Sequence, residues 1–306
     1  MTPFAKRLAW GALIAGIGAA AFAGYPFAMF MYGWQTNGPP ALHRLPVSNP
    51  TAHLRYGASP MQVADLRIPS GKGPFPLAVV IHGGCFLAKI DDMSGIAPVA
   101  DALTKSGIAT LNIEYRKLGD EGAGWPNTYL DIAKGVDMVR DIARHYPIDL
   151  KRVSFVGHSS GAHYALWAAS RPELPADSEI RGGDPFKPAA VIAIDGPPAL
   201  AAFVGRDKEE CNEPVIVPLM GGTPAQFPRR YAEVDTGVRL PLGMRQGFVV
   251  AALAETMTGY IAAAKASGDP VQVYKPASPY HFRIINPERP EGQHTLKLIE
   301  KLTNGS

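Results

Sequence analysis

Residues 152–161 read Arg-Val-Ser-Phe-Val-Gly-His-Ser-Ser-Gly, and this stretch decides the fold of the chain. Residues 152–156 predict a buried strand, and the apolar run that continues to residue 169 predicts a helix. The pattern Gly-x-Ser-x-Gly lies directly between the two elements, where its glycines allow a strained turn that lifts the Ser159 hydroxyl above the edge of a sheet. The following helix N-terminus favours negative charge beside that hydroxyl. Ser159 is therefore the candidate nucleophile.

A second motif, His-Gly-Gly-Cys-Phe at residues 82–86, follows the short apolar run 77–81. Its glycines let the backbone come close to a substrate carbonyl, so the N–H groups of Gly84 and Cys85 can point at the carbonyl oxygen. The N–H of Ser160 would complete this oxyanion hole. Alone, His-Gly-Gly is only a turn, but it becomes specific when it precedes the Ser159 motif.

Apolar strands and amphipathic helices alternate along the rest of the chain. Strands are predicted at 61–68, 77–81, 108–113, 152–156, 189–194, 247–252 and 271–274, and helices at 96–106, 127–145, 160–169, 258–266 and 292–302. This alternation predicts an α/β fold with a mostly parallel central sheet covered by helices on both faces. Residues 35–60 are turn-rich and are expected to be a linker that leads into a domain at 61–306.

These motifs resemble those of the α/β-hydrolase family, specifically the esterase and lipase branch with an H-G-G-x-[FW] oxyanion loop. Carboxylesterases of small esters and kynurenine formamidase-like enzymes belong to that branch. The resemblance covers about residues 61–302 and includes Asn-Ile-Glu-Tyr-Arg at 112–116 and Trp-Pro at 125–126. It implies an α/β-hydrolase fold, acyl transfer to water, and a small irregular cap at about 196–243.

The resemblance also implies a histidine base near the C-terminus, because the family order is Ser, acid, His. Two of the eight histidines, His281 and His294, follow the last predicted strand. His281 lies in a loop and precedes Phe282, as in the family's His-Phe ending, so it is the predicted base. His294 begins the final helix, where a solvent-facing role is expected.

The acid is where this sequence departs from the family pattern. The family usually has an Asp a few residues after the next-to-last core strand, and here Glu255 stands at that place. A Glu can orient and stabilise the histidine as an Asp does, so Glu255 is predicted to complete the triad. Asp235, in the irregular region, and Asp195, after the preceding strand, remain as alternatives.

Charge and cysteine content exclude several classes of protein. The 30 Lys and Arg against 27 Asp and Glu give a net charge of +3 without a long basic run, which argues against a nucleic-acid binder. The two cysteines, Cys85 and Cys211, exclude a disulfide-rich framework and a cysteine-rich metal site. The sequence does not show whether they meet in a disulfide. No metal or cofactor is expected, since no such motif occurs.

The N-terminal segment predicts export. Lys6 and Arg7 precede the uncharged apolar residues 8–34, which suit an uncleaved membrane anchor. A cleaved signal peptide is the alternative, with Ala-Phe-Ala at 21–23 before Gly24. Either way the positive end stays in the cytoplasm and the domain lies on the exported side, anchored or, after cleavage, secreted or periplasmic.

The sequence thus predicts a serine esterase that cleaves a small carboxylic ester through an acyl-enzyme intermediate. Two alternatives stay open: an amidase, arylformamidase or peptidase on the same fold, and a non-catalytic α/β-hydrolase that binds a partner. The expected partner is a small-molecule ester or amide. The oligomeric state is not predicted.

Overall fold

This computed structural model describes residues 35–305 of the chain. These residues form one eight-stranded sheet with helices packed against it. The strands are β1 (Ala52–Arg55), β2 (Val63–Arg67), β3 (Phe75–Ile81), β4 (Ala109–Ile113), β5 (Ile148–His158), β6 (Ala190–Ile194), β7 (Arg245–Val249) and β8 (Val271–Tyr274). The helices are α1 (Pro39–His43), α2 (Ala97–Lys105), α3 (Asn127–Asp137), α4 (Val139–His145), α5 (Ser160–Ser170), α6 (Arg206–Cys211), α7 (Ile216–Met220), α8 (Pro228–Val234), α9 (Ala254–Ala266) and α10 (Pro290–Asn304).

The strand order is β1-β2-β4-β3-β5-β6-β7-β8, and the sheet is mostly parallel. The strands β3 to β8 run parallel to their neighbours among themselves, while β2 pairs antiparallel with both β1 and β4. The carboxyl ends of β3, β5, β6 and β7 therefore meet at one edge of the sheet. This edge is the usual place for a site in such folds.

Both faces of the sheet are covered, which explains the uninterrupted apolar strands. In β3, Leu77, Val79 and Ile81 pack into one core with residues of α3 and α5. The alternate residues Ala78 and Val80 pack into a second core with residues of α2 and α10. Because successive side chains point to opposite faces, a strand buried on both sides shows no alternation of polarity. The predicted α/β-hydrolase fold is confirmed.

Besides small shifts at the ends of several elements, the structure differs from the sequence expectation in three regions. The predicted linker 35–60 contains the helix α1 and the edge strand β1, so the sheet begins before residue 61. The single helix expected at 127–145 is two helices, α3 and α4, which meet at Met138. The region 196–243 contains the short helices α6, α7 and α8, whose few residues give too little periodicity to be predicted.

No helix within residues 35–305 is long and apolar enough to cross a membrane. The anchor or signal predicted at residues 8–34 lies outside the described residues. It remains a prediction.

The turn between β5 and α5 depends on close backbone contact, which gives a stability prediction. A Cβ added at Gly161 would lie 2.2 Å from the carbonyl oxygen of Ile81 and 2.4 Å from that of His82. Since backbone atoms of β3 cannot move aside cheaply, Gly161→Ala should lower the free energy of unfolding by at least about 2 kcal/mol. Urea unfolding measures this change.

The matched control is Gly259→Ala in α9, where an added methyl group meets nothing within 4 Å. That substitution should raise the stability by roughly 0.5–1 kcal/mol, because alanine favours a helix interior over glycine. An unchanged unfolding midpoint for Gly161→Ala would contradict the described packing of the turn.

Candidate active site

Ser159 sits on a strained turn at the carboxyl end of β5. Its backbone has φ 57° and ψ −123°, a conformation that non-glycine residues rarely adopt. The N–H of Ser159 donates to the carbonyl of Ile194 at 2.9 Å, which ties the turn to the end of β6. Gly196 makes this contact sterically feasible, since a Cβ there would lie 2.0 Å from the Ser159 carbonyl oxygen. The turn presents Ser159 at the N-terminus of α5, as the sequence predicts.

The oxyanion loop, defined as residues 82–86, packs directly against Ser159. A Cβ at Gly83 would lie 2.9 Å from the Cβ of Ser159, so only glycine permits this approach. Within residues 35–305, the backbone N–H groups of Gly84, Cys85 and Ser160 donate to no protein acceptor. Unpaired N–H groups beside a nucleophile are what stabilisation of an oxyanion requires. These are the three donors that the sequence predicts.

His281 lines the same cavity as Ser159 and is held by a buried carboxylate. The Nδ1 of His281 is 2.7 Å from Oδ2 of Asp195. Ser159 and His281 line the same cavity, together with Gly84, Cys85 and Ser160. With Nδ1 engaged by Asp195, Nε2 is the ring nitrogen left for proton transfer.

Asp195 follows β6 directly and has a fully buried carboxylate. Besides His281, its oxygens accept the backbone N–H groups of Ala251, Ala252 and Leu253, each at 2.9 Å. Burial raises the pKa of Asp195, but the hydrogen bond and charge of His281, together with these N–H groups, outweigh burial and hold the pKa below its usual value. The carboxylate is therefore ionised at neutral pH.

The prediction that Glu255 contacts His281 is wrong. Glu255 lies in the first turn of α9, with 81% of its side chain exposed, and pairs with Arg206 at 2.9 Å. The strand β7 ends at Val249, and residues 251–253 turn back so that their N–H groups reach Asp195. The alternative Asp235 is also elsewhere, since its carboxylate accepts the N–H of Gly237 at the start of a 3₁₀ turn. The least favoured candidate, Asp195, occupies the position of the acid.

A sequence signal for Asp195 exists, although the family pattern obscured it. Asp195 follows the apolar strand β6 without a gap and precedes Gly196. The strand β6 is adjacent to β5, which leads to Ser159. An acidic residue directly after a buried parallel strand lies at the carboxyl edge, where sites form. Its backbone has φ 48°, which Asp tolerates better than most residues.

His158, the residue before Ser159, holds the loop that carries His281. Its Nε2–H donates to the backbone carbonyl of His281 at 2.9 Å, and the two rings lie 4.4 Å apart. Burial, with the nearby His281, lowers the pKa of His158 to about 3. A neutral His158 can donate this bond without placing a positive charge beside His281.

Two other histidines, His163 and His294, do not line the cavity that contains Ser159. His294 is exposed, stacks on Tyr274 at 5.3 Å and donates from Nδ1 to the carbonyl of Pro290. His163 is buried in α5, 3.0 Å from the hydroxyl of Tyr129, and burial lowers its pKa to about 3. The exposed position of His294 agrees with the role expected from the sequence.

A buried network of Glu114 and Lys117 contacts the oxyanion loop at His82. Nε2 of His82 is 2.9 Å from Oε1 of Glu114, and Lys117 bonds the same carboxylate oxygen. The second oxygen of Glu114 accepts the N–H of Met93 at 2.9 Å. Burial raises the pKa of Glu114, but His82 and Lys117 outweigh it and bring the pKa down to about 2. His82 therefore links the oxyanion loop to Glu114.

The cavity over Ser159 has a volume of about 260 Å³ and is closed on one side by the cap, residues 196–243. The cap contributes Phe203 as an apolar wall and Glu210 and Asn212 as exposed polar residues. Cys85 of the oxyanion loop and Cys211 of α6 form a disulfide at this wall. Sequence reasoning left this bond open because 126 residues separate the two cysteines.

Among the described residues, no group of three or more His, Cys, Asp or Glu side chains could hold a metal ion. The polar groups of the cavity instead include Ser159, His281 held by Asp195, and the backbone N–H groups of Gly84, Cys85 and Ser160. Such a set can attack a carbonyl carbon and stabilise the resulting oxyanion.

The Glu114 network predicts a pH dependence of stability. Because the pKa of Glu114 falls from 4.5 in the unfolded chain to about 2, the ionised carboxylate stabilises the fold above pH 5. This contribution is lost as the pH falls from about 5 to 2. Glu114→Gln should therefore cost roughly 3 kcal/mol at pH 7, and the difference from wild type should shrink steadily on acidification. Urea unfolding at stepped pH measures it.

Glu255→Gln is the control for this experiment, since an exposed carboxylate contributes little. Its stability should match that of the wild type at every pH. A Glu114→Gln deficit that does not depend on pH would contradict the role given to the ionised carboxylate.

Comparison with solved structures supports the fold. An inhibited esterase B from Lactobacillus rhamnosis superimposes with a TM-score of 0.71 at 16% identity, covering 93% of this chain and 96% of that one. A truncated carbohydrate esterase from gut microbiota gives 0.69 at 16% identity, covering 84% and 97%. The butyrate-bound thermophilic esterase from the Planctomycetes species Thermogutta terrifontis gives 0.64 at 16% identity, covering 82% and 92%.

No curated protein matches the sequence. The family model BD-FAE matches residues 64–236, which include the oxyanion loop, Ser159 and Asp195. Because this match spans more than half of the chain, the protein belongs to the BD-FAE family of α/β-hydrolase-like proteins.

Proposed function

We propose that this protein is a serine hydrolase that cleaves small carboxylic esters with Ser159, His281 and Asp195 as its triad. The observation that carries the proposal is the 2.7 Å contact of His281 with the buried Asp195, in a cavity that also contains Ser159. A histidine oriented by a carboxylate beside a serine on a strained turn is the arrangement that activates a hydroxyl.

In the first half of the reaction, the Oγ of Ser159 attacks the ester carbonyl while Nε2 of His281 takes the hydroxyl proton. The carbonyl oxygen becomes an oxyanion and accepts the N–H groups of Gly84, Cys85 and Ser160. Asp195 stabilises the imidazolium and keeps its Nδ1–H in place. The tetrahedral intermediate then collapses, His281 gives the proton to the leaving alcohol, and the acyl group stays on Ser159.

In the second half, water replaces the alcohol. His281 takes a proton from this water, whose oxygen attacks the acyl carbon, and the same N–H groups hold the second oxyanion. Collapse releases the carboxylic acid and returns the proton to Ser159. Short acyl chains suit the compact cavity, where Phe203 and Phe282 supply apolar walls.

A sugar ester is the second candidate substrate. Glu210 and Asn212 are exposed at the cavity, where they can accept and donate hydrogen bonds to the hydroxyl groups of a carbohydrate alcohol. The similarity to a carbohydrate esterase agrees with this candidate. Acetylated sugars compared with aryl acetates of equal acyl length would separate the two, since only the leaving group differs.

The non-catalytic alternative loses its main argument. Its only support is that Glu255 stands where the family has an Asp, and the buried carboxylate of Asp195 bonds His281 instead. An amidase on the same fold would use the same groups, so relative kcat/KM on an ester and the matching amide distinguishes these two activities.

We also propose that residues 8–34 anchor the protein and that the domain works on the exported side of the membrane. The disulfide Cys85–Cys211 supports this location, since disulfides persist in oxidising compartments.

The first test of the function is covalent labelling. A fluorophosphonate should modify the wild type at one site, because the probe needs an activated serine, and Ser159→Ala should abolish both labelling and hydrolysis of short-acyl aryl esters. His281→Ala should also abolish labelling, whereas His294→Ala should leave it intact. Peptide mass spectrometry identifies the labelled residue, and modification of a different serine would contradict the proposal.

The acid assignment has its own test. Asp195→Asn should lower kcat by about 10³- to 10⁴-fold, because the amide cannot hold the required tautomer of His281. Glu255→Gln, the matched control, should change kcat by less than twofold, since Glu255 contacts Arg206 instead. Steady-state kinetics with an aryl ester measures both, and near-normal activity of Asp195→Asn would refute the assignment.

Fractionation tests the location. The protein should stay with membranes in high salt and be released by detergent, because apolar anchoring resists screening by ions. A variant that lacks residues 1–34 should be found in the supernatant. N-terminal sequencing that begins at Gly24 would show cleavage of a signal peptide and would overturn the anchor.

A further inference from the structure

The disulfide Cys85–Cys211 connects the oxyanion loop to the cap. The two Cα atoms lie 5.7 Å apart, and both cysteines line the cavity over Ser159. One sulfur thus belongs to a residue whose N–H is a proposed oxyanion donor. The other belongs to the last residue of α6.

The oxyanion loop has a strained backbone at this point. Three consecutive residues have left-handed φ values, with Gly84 at 114°, Cys85 at 53° and Phe86 at 62°. Glycine adopts such a value readily, but Cys and Phe do so rarely and only where the surroundings enforce it. Something must therefore hold Cys85 and Phe86 in place.

Phe86 is held by packing. Its side chain is 2% exposed and meets the rings of His163 and Tyr164 edge-on, at centroid distances of 6.2 and 5.6 Å. Its carbonyl accepts the N–H of Leu118. Cys85 is only half-buried, and its side chain is held by the covalent bond to Cys211.

The cap end of the disulfide is itself firmly anchored. The carboxylate of Asp207, in the first turn of α6, is 2% exposed and accepts four backbone N–H groups. These belong to Gly205 and Lys208 on one oxygen and to Val215 and Ile216 on the other. Because α6 is fixed in this way, the disulfide ties the strained loop to a rigid point.

We propose that the Cys85–Cys211 disulfide is a positioning element that holds the N–H groups of Gly84 and Cys85 on the oxyanion. This inference rests on the proposed function, because it concerns how the same hole is kept in shape. When the bond is broken, the loop relaxes from its left-handed conformation and the two donors turn away from the oxygen. Losing these two hydrogen bonds destabilises the transition state, where negative charge develops, more than it weakens substrate binding.

Three variants test the proposal: Cys85→Ser, Cys211→Ser and the double variant. All three remove the same bond, so each should lower kcat by about the same factor, roughly 10- to 100-fold, with KM nearly unchanged. The value of kcat is expressed per fluorophosphonate-labelled Ser159, so a partly unfolded sample does not imitate the effect. Glu213→Gln is the control. It breaks only the exposed ion pair of Glu213 with Lys89, which joins the residues just after α6 to those just after the oxyanion loop.

A dithiol reductant supplies a second measurement. Dithiothreitol would convert the disulfide to two thiols while it is itself oxidised to the cyclic disulfide, and kcat of the wild type should fall to that of the double variant. The double variant should not respond to the reductant. Comparing the wild type with the double variant in this way separates the loss of the disulfide from any general effect of the reductant.

The proposal would be overturned if the losses of kcat in the two single variants added up in the double variant. A change in KM without a change in kcat would also overturn it, as would a lowered melting temperature with kcat per labelled site unchanged. Failure of the wild type to label at Ser159 would instead refute the proposed function. If the wild type labels and turns over, and the kcat of each variant equals that of the wild type, this inference alone is refuted.

Discussion

The hydrogen bond from Nδ1–H of His281 to the carboxylate of Asp195 joins two loops that are 86 residues apart in sequence. Everything else at the site either holds one of these partners or depends on their alignment. Residues 251–253 donate three N–H groups to Asp195, and His158 fixes the backbone of the His281 loop. A buried carboxylate with this many donors stays ionised and immobile, so it can set the tautomer of the histidine.

Backbone strain is concentrated around this bond. Within residues 35–305, the non-glycine residues with positive φ are Cys85, Phe86, Ser159, Asp195 and Asn212. Four of them line the cavity and the fifth is the carboxylate bonded to His281. Such conformations cost of order 1–3 kcal/mol each and persist where the surroundings enforce them. The supports are the core packing of Phe86, the glycines that allow close approach to Ser159, the disulfide, and the Glu114 network.

How far the sequence alone predicts this site depends on the range of the interactions. The turn at Ser159 and the oxyanion loop were predictable, since their geometry is determined by a few adjacent residues such as Gly157 and Gly161. The strands β2 to β8 were predicted from their apolar runs in the same way, whereas β1 was not. The position of Asp195 directly after β6 was a local signal, but the choice between Asp195 and Glu255 was not predictable, because it depends on where β7 ends and on how residues 251–253 turn toward Asp195. The disulfide posed the same difficulty, since it joins a loop to a cap whose short helices have almost no periodicity.

The central claim is that Ser159, His281 and Asp195 act together beneath the N–H groups of the oxyanion loop. A crystal structure of the wild type after reaction with a fluorophosphonate tests it most directly. The account predicts phosphorus bonded to the Oγ of Ser159, with the phosphonyl oxygen within about 3.1 Å of the donor N–H nitrogens and Nδ1 of His281 still on Asp195. A phosphonyl oxygen that faces away from those N–H groups, or a carboxylate other than Asp195 on His281, would contradict it.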